Sequence, residues 1–136
     1  MAQDKLFYVG QKAFIEKDGK VLVLQASDGL DLPGGKVQEG EMDGAESLAV
    51  SLKREIKEET NLEVEIIEPL FVWPRKSTKY LGEFLYIVGF RCKYISGDVK
   101  VSDEHVSFEW IGKNDYEKLN DGSEYFNALK KYFSRQ

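Results

Sequence analysis

The sequence predicts a mixed α/β domain, and three patterns support this prediction. Apolar residues alternate along residues 20–26, and residues 83–95 have the strongest β-strand pattern in the chain. Apolar residues recur at helical spacing along residues 44–60, and a wide aromatic stripe with the same spacing follows along residues 123–134. A length of 136 residues fits one domain, so we expect a single domain over residues 1–136.

The first part of the chain predicts a hairpin followed by a long loop. Residues 6–16 are rich in β-formers, and an Asp-Gly pair at residues 18–19 separates them from the strand at residues 20–26. Glycines and a proline then punctuate residues 27–43, which predicts an irregular loop.

The next segment predicts one long helix with a defined end. Residues 44–60 contain no proline, and Asn61 is suited to the left-handed conformation that often ends a helix. The apolar positions with helical spacing are Ala45, Leu48, Ala49, Leu52 and Ile56.

The second half of the chain predicts strands followed by helices. In order, we expect a strand over residues 62–73 with a break near Pro69, a basic loop over 74–82, a strand over 83–95, a turn over 96–98, a strand over 106–112, and helices over 114–119 and 123–134.

The charge distribution restricts the kinds of partner. The net charge is −5, and residues 39–68 alone hold ten acids and three bases. An acidic protein is poorly suited to a nucleic acid polymer or an anionic membrane surface. No apolar run is long enough to span a membrane, and no targeting signal is visible, so we expect no membrane partner. The single Cys92 predicts a buried reduced thiol, and together these features favour a cytoplasmic protein.

The helix over residues 44–60 carries a cluster of carboxylates. Glu55, Glu58 and Glu59 share an arc of about 100° beside the apolar stripe. Arg54 lies one turn before Glu58, where it can orient that carboxylate. Mg²⁺ or Mn²⁺ would remove the repulsion between the acids. The helix alone also fits an ordinary solvated acidic face.

The loop before the helix favours the metal interpretation. Gly34 and Gly35 let backbone groups approach a ligand closely, since neither residue has a Cβ atom. A backbone carbonyl beside the carboxylates would complete a site made of oxygen atoms.

Together these segments resemble the Nudix hydrolase family. The stretch "REIKEETNL" at residues 54–62 fits the second half of the family's motif, and "LPGGKVQEGE" at residues 32–41 resembles the stretch that opens it. Two departures stand out. An apparent five-residue insertion leaves the first glutamate of the motif open between Glu41 and Glu46, and Asn61 replaces a glycine.

The resemblance implies a fold, a reaction and a site. The fold would be an α+β arrangement with a mixed β-sheet sandwiched between helices. The reaction would be Mg²⁺-dependent hydrolysis of a nucleoside diphosphate linked to another group, with Mn²⁺ as an alternative metal. The implied metal ligands are Gly34 through its carbonyl, Glu55, Glu58 and Glu59, with Glu104 as a further ligand or general base and Arg54 as the orienting residue.

Other residues are expected to bind substrate, and two rival functions are considered. The expected substrate-binding residues are Gly35, Arg75, Lys76, Lys79 and Tyr80. His105 could be a base, but a histidine at the surface or one satisfied within the core is the favoured interpretation. The rivals are an isomerase acting on an isoprenyl diphosphate, which needs a reactive cysteine, and a catalytically silent module that binds nucleotides or protein. Relatives commonly form homodimers, so a homodimer is left open.

Overall fold

The computed structural model describes residues 2–77 and 83–135. Its elements are β1 (Tyr8–Lys17), β2 (Lys20–Ala26), β3 (Gly29–Asp31), β4 (Gly34–Lys36), α1 (Ala45–Thr60), β5 (Glu63–Lys76), β6 (Phe84–Ser96), β7 (Ser107–Ile111), a short 3₁₀ helix (Tyr116–Leu119) and α2 (Glu124–Ser134).

The strands form one mixed sheet. Its main order is β3-β2-β1-β6-β5, with β4 paired to β1 and β7 paired to β2. The pairing of β1 with β6 is parallel, and the other pairings are antiparallel. Within the described ranges, no helix has both the length and the apolar character needed to cross a membrane.

The two helices cover opposite faces of the sheet. Side chains alternate along β1, so Phe14 joins the core beneath α2 while Ala13 and Ile15 join the core beneath α1. Leu52 and Ile56 of α1 are fully buried in the second of these cores. The predicted mixed sheet between helices is therefore confirmed.

The helix that carries the acidic cluster ends where the sequence predicts. Asn61 has a φ of 68° and its backbone N–H donates to the Lys57 carbonyl. The side chain of Asn61 also donates to the carbonyl of Asp98, at 3.1 Å. Asparagine tolerates this left-handed conformation, so it can end α1 where the resemblance would place glycine.

Three local predictions were wrong. The segment over residues 27–43 is not wholly irregular, because β3 pairs with β2 and β4 pairs with β1. β5 continues to Lys76, so Arg75 and Lys76 lie on a strand paired with β6. The helix predicted over residues 114–119 is a single 3₁₀ turn over Tyr116–Leu119. Three-residue strands rich in glycine have no periodicity that a sequence pattern can reveal.

Candidate active site

A cleft of about 380 Å³ opens beside α1. Both helices and several strands contribute to its wall, so residues distant in the sequence meet there. Its apolar surface includes Leu30, Leu85, Ile87 and Tyr125. Its acidic side chains are Asp28, Asp31, Glu55, Glu59 and Glu104, and its basic side chains are Lys12, Lys36 and Arg75.

The two glycines of β4 bring the backbone against α1. A Cβ atom on Gly35 would lie 3.0 Å from Oε2 of Glu55, so a side chain there would press on that carboxylate. Gly34 has a φ of 138°, and its Cβ atom would lie 2.0 Å from the carbonyl oxygen of Gln11. The backbone N–H of Gly34 donates to Oε1 of Glu59 at 2.8 Å. Both predicted glycines therefore line the cleft beside predicted ligands.

Glu59 is a buried carboxylate with few interactions that stabilise its ionised form. Only 6% of the residue is exposed. Burial raises its pKa to about 7, although Lys12 and the Gly34 N–H act in the opposite direction. Burial likewise raises the pKa of Glu55, with Arg54 opposing it. A cation in the cleft would favour the ionised form of both groups.

Arg54 lies outside the cleft wall and binds three carboxylates, of which only Glu55 lines the cleft. Its Nη1 atom donates to Glu58 at 3.1 Å, the i, i+4 pair predicted from the sequence. Its Nη2 atom donates to Glu41 at 3.0 Å and to Glu55 at 3.3 Å. Glu58 is mostly exposed and does not line the cleft, unlike Glu55 and Glu59. Its role as a principal metal ligand stays a prediction.

Glu41 has a defined position, which bears on the ambiguous first glutamate of the motif. Its carboxylate accepts hydrogen bonds from the Ser51 hydroxyl at 2.6 Å and the Gln38 N–H at 2.5 Å. The Ser51 hydrogen bond, the Gln38 N–H and Arg54 hold its pKa below the usual range. The side chain of Glu46 lies outside the described residues, so the assignment to Glu41 or Glu46 stays open.

A buried ionic network borders the cleft. Nζ of Lys12 donates to Oδ1 of Asp31 and to the Leu32 carbonyl, both at 3.0 Å. Nε2 of His105 lies 2.9 Å from Oδ2 of Asp31. Burial opposes the ionised form of Asp31, but Lys12 and His105 hold its pKa at about 2. The hydrogen bond to Asp31 raises the pKa of His105, although burial opposes this shift.

Glu104 reaches the same region from the segment before β7. One oxygen each from Glu59 and Glu104 and one ring nitrogen of His105 all lie within 4.8 Å of one another. Glu104 itself is exposed, whereas Glu59 is buried. The predicted Glu104 therefore joins the cleft.

The predicted substrate-binding residues are divided. Gly35 and Arg75 line the cleft, and the Arg75 guanidinium lies 4.7 Å from the Tyr125 ring centre. Lys76 is exposed and is not part of the cleft wall. Lys79 and Tyr80 lie outside the described residues.

Cys92 does not support the isomerase alternative. It is fully buried in the core beneath α1 and is not part of the cleft wall. Burial raises the pKa of its thiol to about 12. A thiol this protected from ionisation is a poor nucleophile or acid.

The cleft suits a hard divalent cation. Carboxylate oxygens are the ligands that Mg²⁺ and Mn²⁺ prefer, and Glu55, Glu59 and Glu104 supply them from two separate segments. Glu59 has a raised pKa and no ion pair within the described part of the chain, so a positive ion beside it would remove an electrostatic cost.

We made no prediction from the sequence for Lys12 and Asp31, which line the cleft. His105, which contacts Asp31 beside the cleft, was given only a minor role. Asp31 and His105 are 74 positions apart, so their contact depends on tertiary structure. A lysine within an otherwise buried strand was the one available signal for Lys12, since buried lysines require a partner.

Comparison with known proteins points to one family. The family model described as NUDIX domain matches residues 12–132. An ADP-ribose pyrophosphatase from Methanocaldococcus jannaschii is 31% identical over 116 residues, which are 82% of this chain and 65% of that protein. The chain thus spans about two-thirds of that relative's length.

Solved structures agree with this result. The MutT protein from Methanosarcina mazei is 25% identical, with a TM-score of 0.77 and coverage of 98% of this chain and 97% of that one. A MutT NUDIX hydrolase from Burkholderia pseudomallei is also 25% identical, with a TM-score of 0.69 and coverage of 90% and 96%. The match across most of the chain, together with the carboxylates of α1 in the cleft, shows that the chain belongs to the NUDIX domain family.

Proposed function

We propose that this protein is a Mg²⁺-dependent pyrophosphohydrolase, with Mn²⁺ as an alternative metal. The reaction would cleave a phosphoanhydride bond in a nucleoside diphosphate linked to another group. The observation that supports it most strongly is that one cleft is lined both by acidic and by basic side chains, namely Glu55, Glu59, Glu104, Lys36 and Arg75. The candidate substrates are nucleoside triphosphates, dinucleoside polyphosphates, ADP-ribose and nucleotide sugars.

The roles of the side chains follow from their charge. A polyanionic substrate and an acidic helix can approach each other only through cations. Glu55, Glu59 and Glu104 would hold the metal, which neutralises phosphate charge and lowers the pKa of an attacking water. Lys36 and Arg75, which line the same cleft, would bind phosphate oxygens.

Two residues keep more than one proposed role. Glu104 is either a metal ligand or the general base, because it is exposed at the cleft and close to Glu59. Glu58 is either a metal ligand, as the resemblance implies, or a partner of Arg54, whose Nη1 atom donates to both of its oxygens.

The proposal also covers the first substrate to test, the domain organisation, the location and the oligomeric state. ADP-ribose is the first substrate to test, because the Methanocaldococcus jannaschii relative bears that name. We propose a single domain over residues 1–136, a cytoplasmic location and no nucleic acid polymer as partner. A homodimer is also proposed, supported by exposed apolar side chains of Phe7, Val9 and Tyr86 near the starts of β1 and β6.

A substrate panel with matched variants tests the function. Phosphate and nucleotide release would be measured for each candidate substrate, with Mg²⁺, with Mn²⁺ and with a chelator. Glu59→Gln should lower turnover roughly 100-fold or more, since one metal ligand supports several kcal/mol of transition-state stabilisation. Glu58→Gln is expected to lower turnover as well.

Glu63→Gln is the matched control for these variants. Glu63 lies just beyond α1, is exposed and pairs with Lys57. Its loss should leave turnover nearly unchanged. Equal effects at residues 58, 59 and 63 would reject the proposed metal face. If no substrate in the panel shows metal-dependent release of phosphate or nucleotide, the catalytically silent binding module would be favoured.

A further inference from the structure

The turn at residues 102–105 contains two buried polar atoms without partners. Oγ of Ser102 and Nδ1 of His105 make no hydrogen bond to any residue that the structure describes. The turn is fixed, because the His105 N–H donates to the Ser102 carbonyl and the Ser102 N–H donates to the Glu59 carbonyl. Buried polar atoms usually have partners, so an ion or a water molecule is expected here.

Asp31 determines which nitrogen of His105 is available. Nε2 lies 2.9 Å from Oδ2 of Asp31, whose other oxygen accepts from Lys12. A carboxylate paired with lysine is an acceptor, so Nε2 carries a proton and donates it to Asp31. In the neutral ring, the lone pair is therefore on Nδ1. A carboxylate that orients an imidazole in this way is typical of histidines that bind metals.

Two carboxylates complete the arrangement. A ring nitrogen of His105 and one oxygen each from Glu59 and Glu104 all lie within 4.8 Å of one another. Two ligand atoms that each lie about 2.0–2.2 Å from one metal are at most about 4.4 Å apart, so these three groups need at most a small shift to share one divalent ion. His105 is only 7% exposed and its ring is oriented by Asp31, so little side-chain freedom is lost on binding.

We propose that Nδ1 of His105 is a ligand of a divalent cation shared with Glu59 and Glu104, and that it shifts the preference of the site toward cations that accept nitrogen. These are Mn²⁺, Co²⁺ and Zn²⁺ rather than Mg²⁺, because imidazole binds Mg²⁺ poorly. The cation displaces any proton on Nδ1 when it binds. The inference rests on the metal dependence proposed above and adds an imidazole to its ligand set.

Pulsed electron paramagnetic resonance of the Mn²⁺-loaded protein tests this directly. His105 is the only histidine in the chain, so protein without an affinity tag gives an unambiguous signal. We expect nuclear modulation from ¹⁴N of the size produced by a coordinated imidazole. His105→Gln should abolish this modulation, and calorimetry should show roughly 10-fold or more weaker Mn²⁺ binding. Mg²⁺ binding should change far less.

The outcomes separate this inference from the proposed function. Mn²⁺ binding without imidazole modulation in the unmodified protein would overturn the inference and leave the proposed function standing. That spectrum decides the question even if His105→Gln fails to fold. Binding of neither Mn²⁺ nor Mg²⁺ would overturn both. If a water molecule, and not a cation, were the partner of Ser102 and His105, Mn²⁺ would bind without imidazole modulation.

Discussion

The two halves of β1 hold charged side chains in opposite situations: Lys12 lies in the half toward the cleft (the cleft end), and Glu16 lies in the half away from it (the distal end). Lys12 and Glu16 lie on the same face of the strand, on either side of Phe14. At the distal end, Glu16 accepts from Arg91 at 3.0 Å and from the hydroxyl of Tyr132, and Arg91 also pairs with Glu68. These are the groups of a satisfied ionic network at a partly exposed site.

The cleft end is buried and incomplete. Lys12 pairs with Asp31, but the carboxylate of Glu59 has only the Gly34 N–H as a hydrogen-bond partner in the described residues. Nδ1 of His105 has none in the same ranges. Satisfied networks maintain a fold, whereas buried groups with a raised pKa in a cleft mark functional sites. The comparison assigns a structural role to the distal end and ligand binding to the cleft end.

The largest expected difference is in the free energy of unfolding, between alanine substitutions at two glycines, one near each end. Gly34→Ala should lower the free energy of unfolding by about 4 kcal/mol or more, because the new Cβ atom would collide with the Gln11 carbonyl at an already strained φ. Gly19 in the β1–β2 turn also has a positive φ, but nothing lies within 4 Å of its added Cβ atom. Gly19→Ala should therefore cost only about 1 kcal/mol.

Chemical denaturation of the two glycine variants measures this difference. Similar losses from both would show that β4 can move away from β1. The close approach at the cleft would then not be needed for stability.

The next difference concerns the two ionic networks. Asp31→Asn should lower the free energy of unfolding by about 3 kcal/mol or more, because it leaves the buried charge of Lys12 without a counterion. Arg91→Gln should cost far less, since the ion pairs of Arg91 are exposed to water. Equal losses in urea denaturation would contradict the distinction between the two ends.

The fold could largely be predicted from the sequence. The 3.6-residue spacing placed Leu52 and Ile56 in the core and Glu55 and Glu59 beside it, as the structure has them. The same spacing did not separate Glu58 from its neighbours. That separation depends on Arg54, which holds Glu58 outside the cleft, and on β4, which packs against the other side of α1.

The remainder of the site depends on tertiary contacts. Asp31 lies in a three-residue strand within a segment that we predicted to be an irregular loop. Glu104 reaches the cleft, and His105 reaches Asp31 beside it, from the segment before β7, which pairs with β2. Long-range registers of this kind leave no local pattern. His105 was predicted to lie at the surface or to be satisfied within the core. It is buried, and Nε2 has Asp31 as a partner, whereas Nδ1 has none among the described residues.

The central claim is that Glu59 is destabilising until a cation binds. Its folded pKa of about 7 lies above the ordinary value of 4.5, so the folded state holds a proton that the unfolded state has lost between these pH values. The contribution of Glu59 to stability should therefore be greatest below pH 4.5 and fall as the pH rises to about 7. Glu59→Gln removes the titrating group and should remove this fall.

Urea denaturation of the chelator-treated protein and of Glu59→Gln across this pH range is the most direct measurement. The two should have similar stability near pH 4.5, and the variant should be more stable above pH 7, by on the order of 3 kcal/mol. Saturating Mg²⁺ or Mn²⁺ should narrow this gap by stabilising only the unmodified protein. A variant that is equally or less stable above pH 7 without metal would contradict the account.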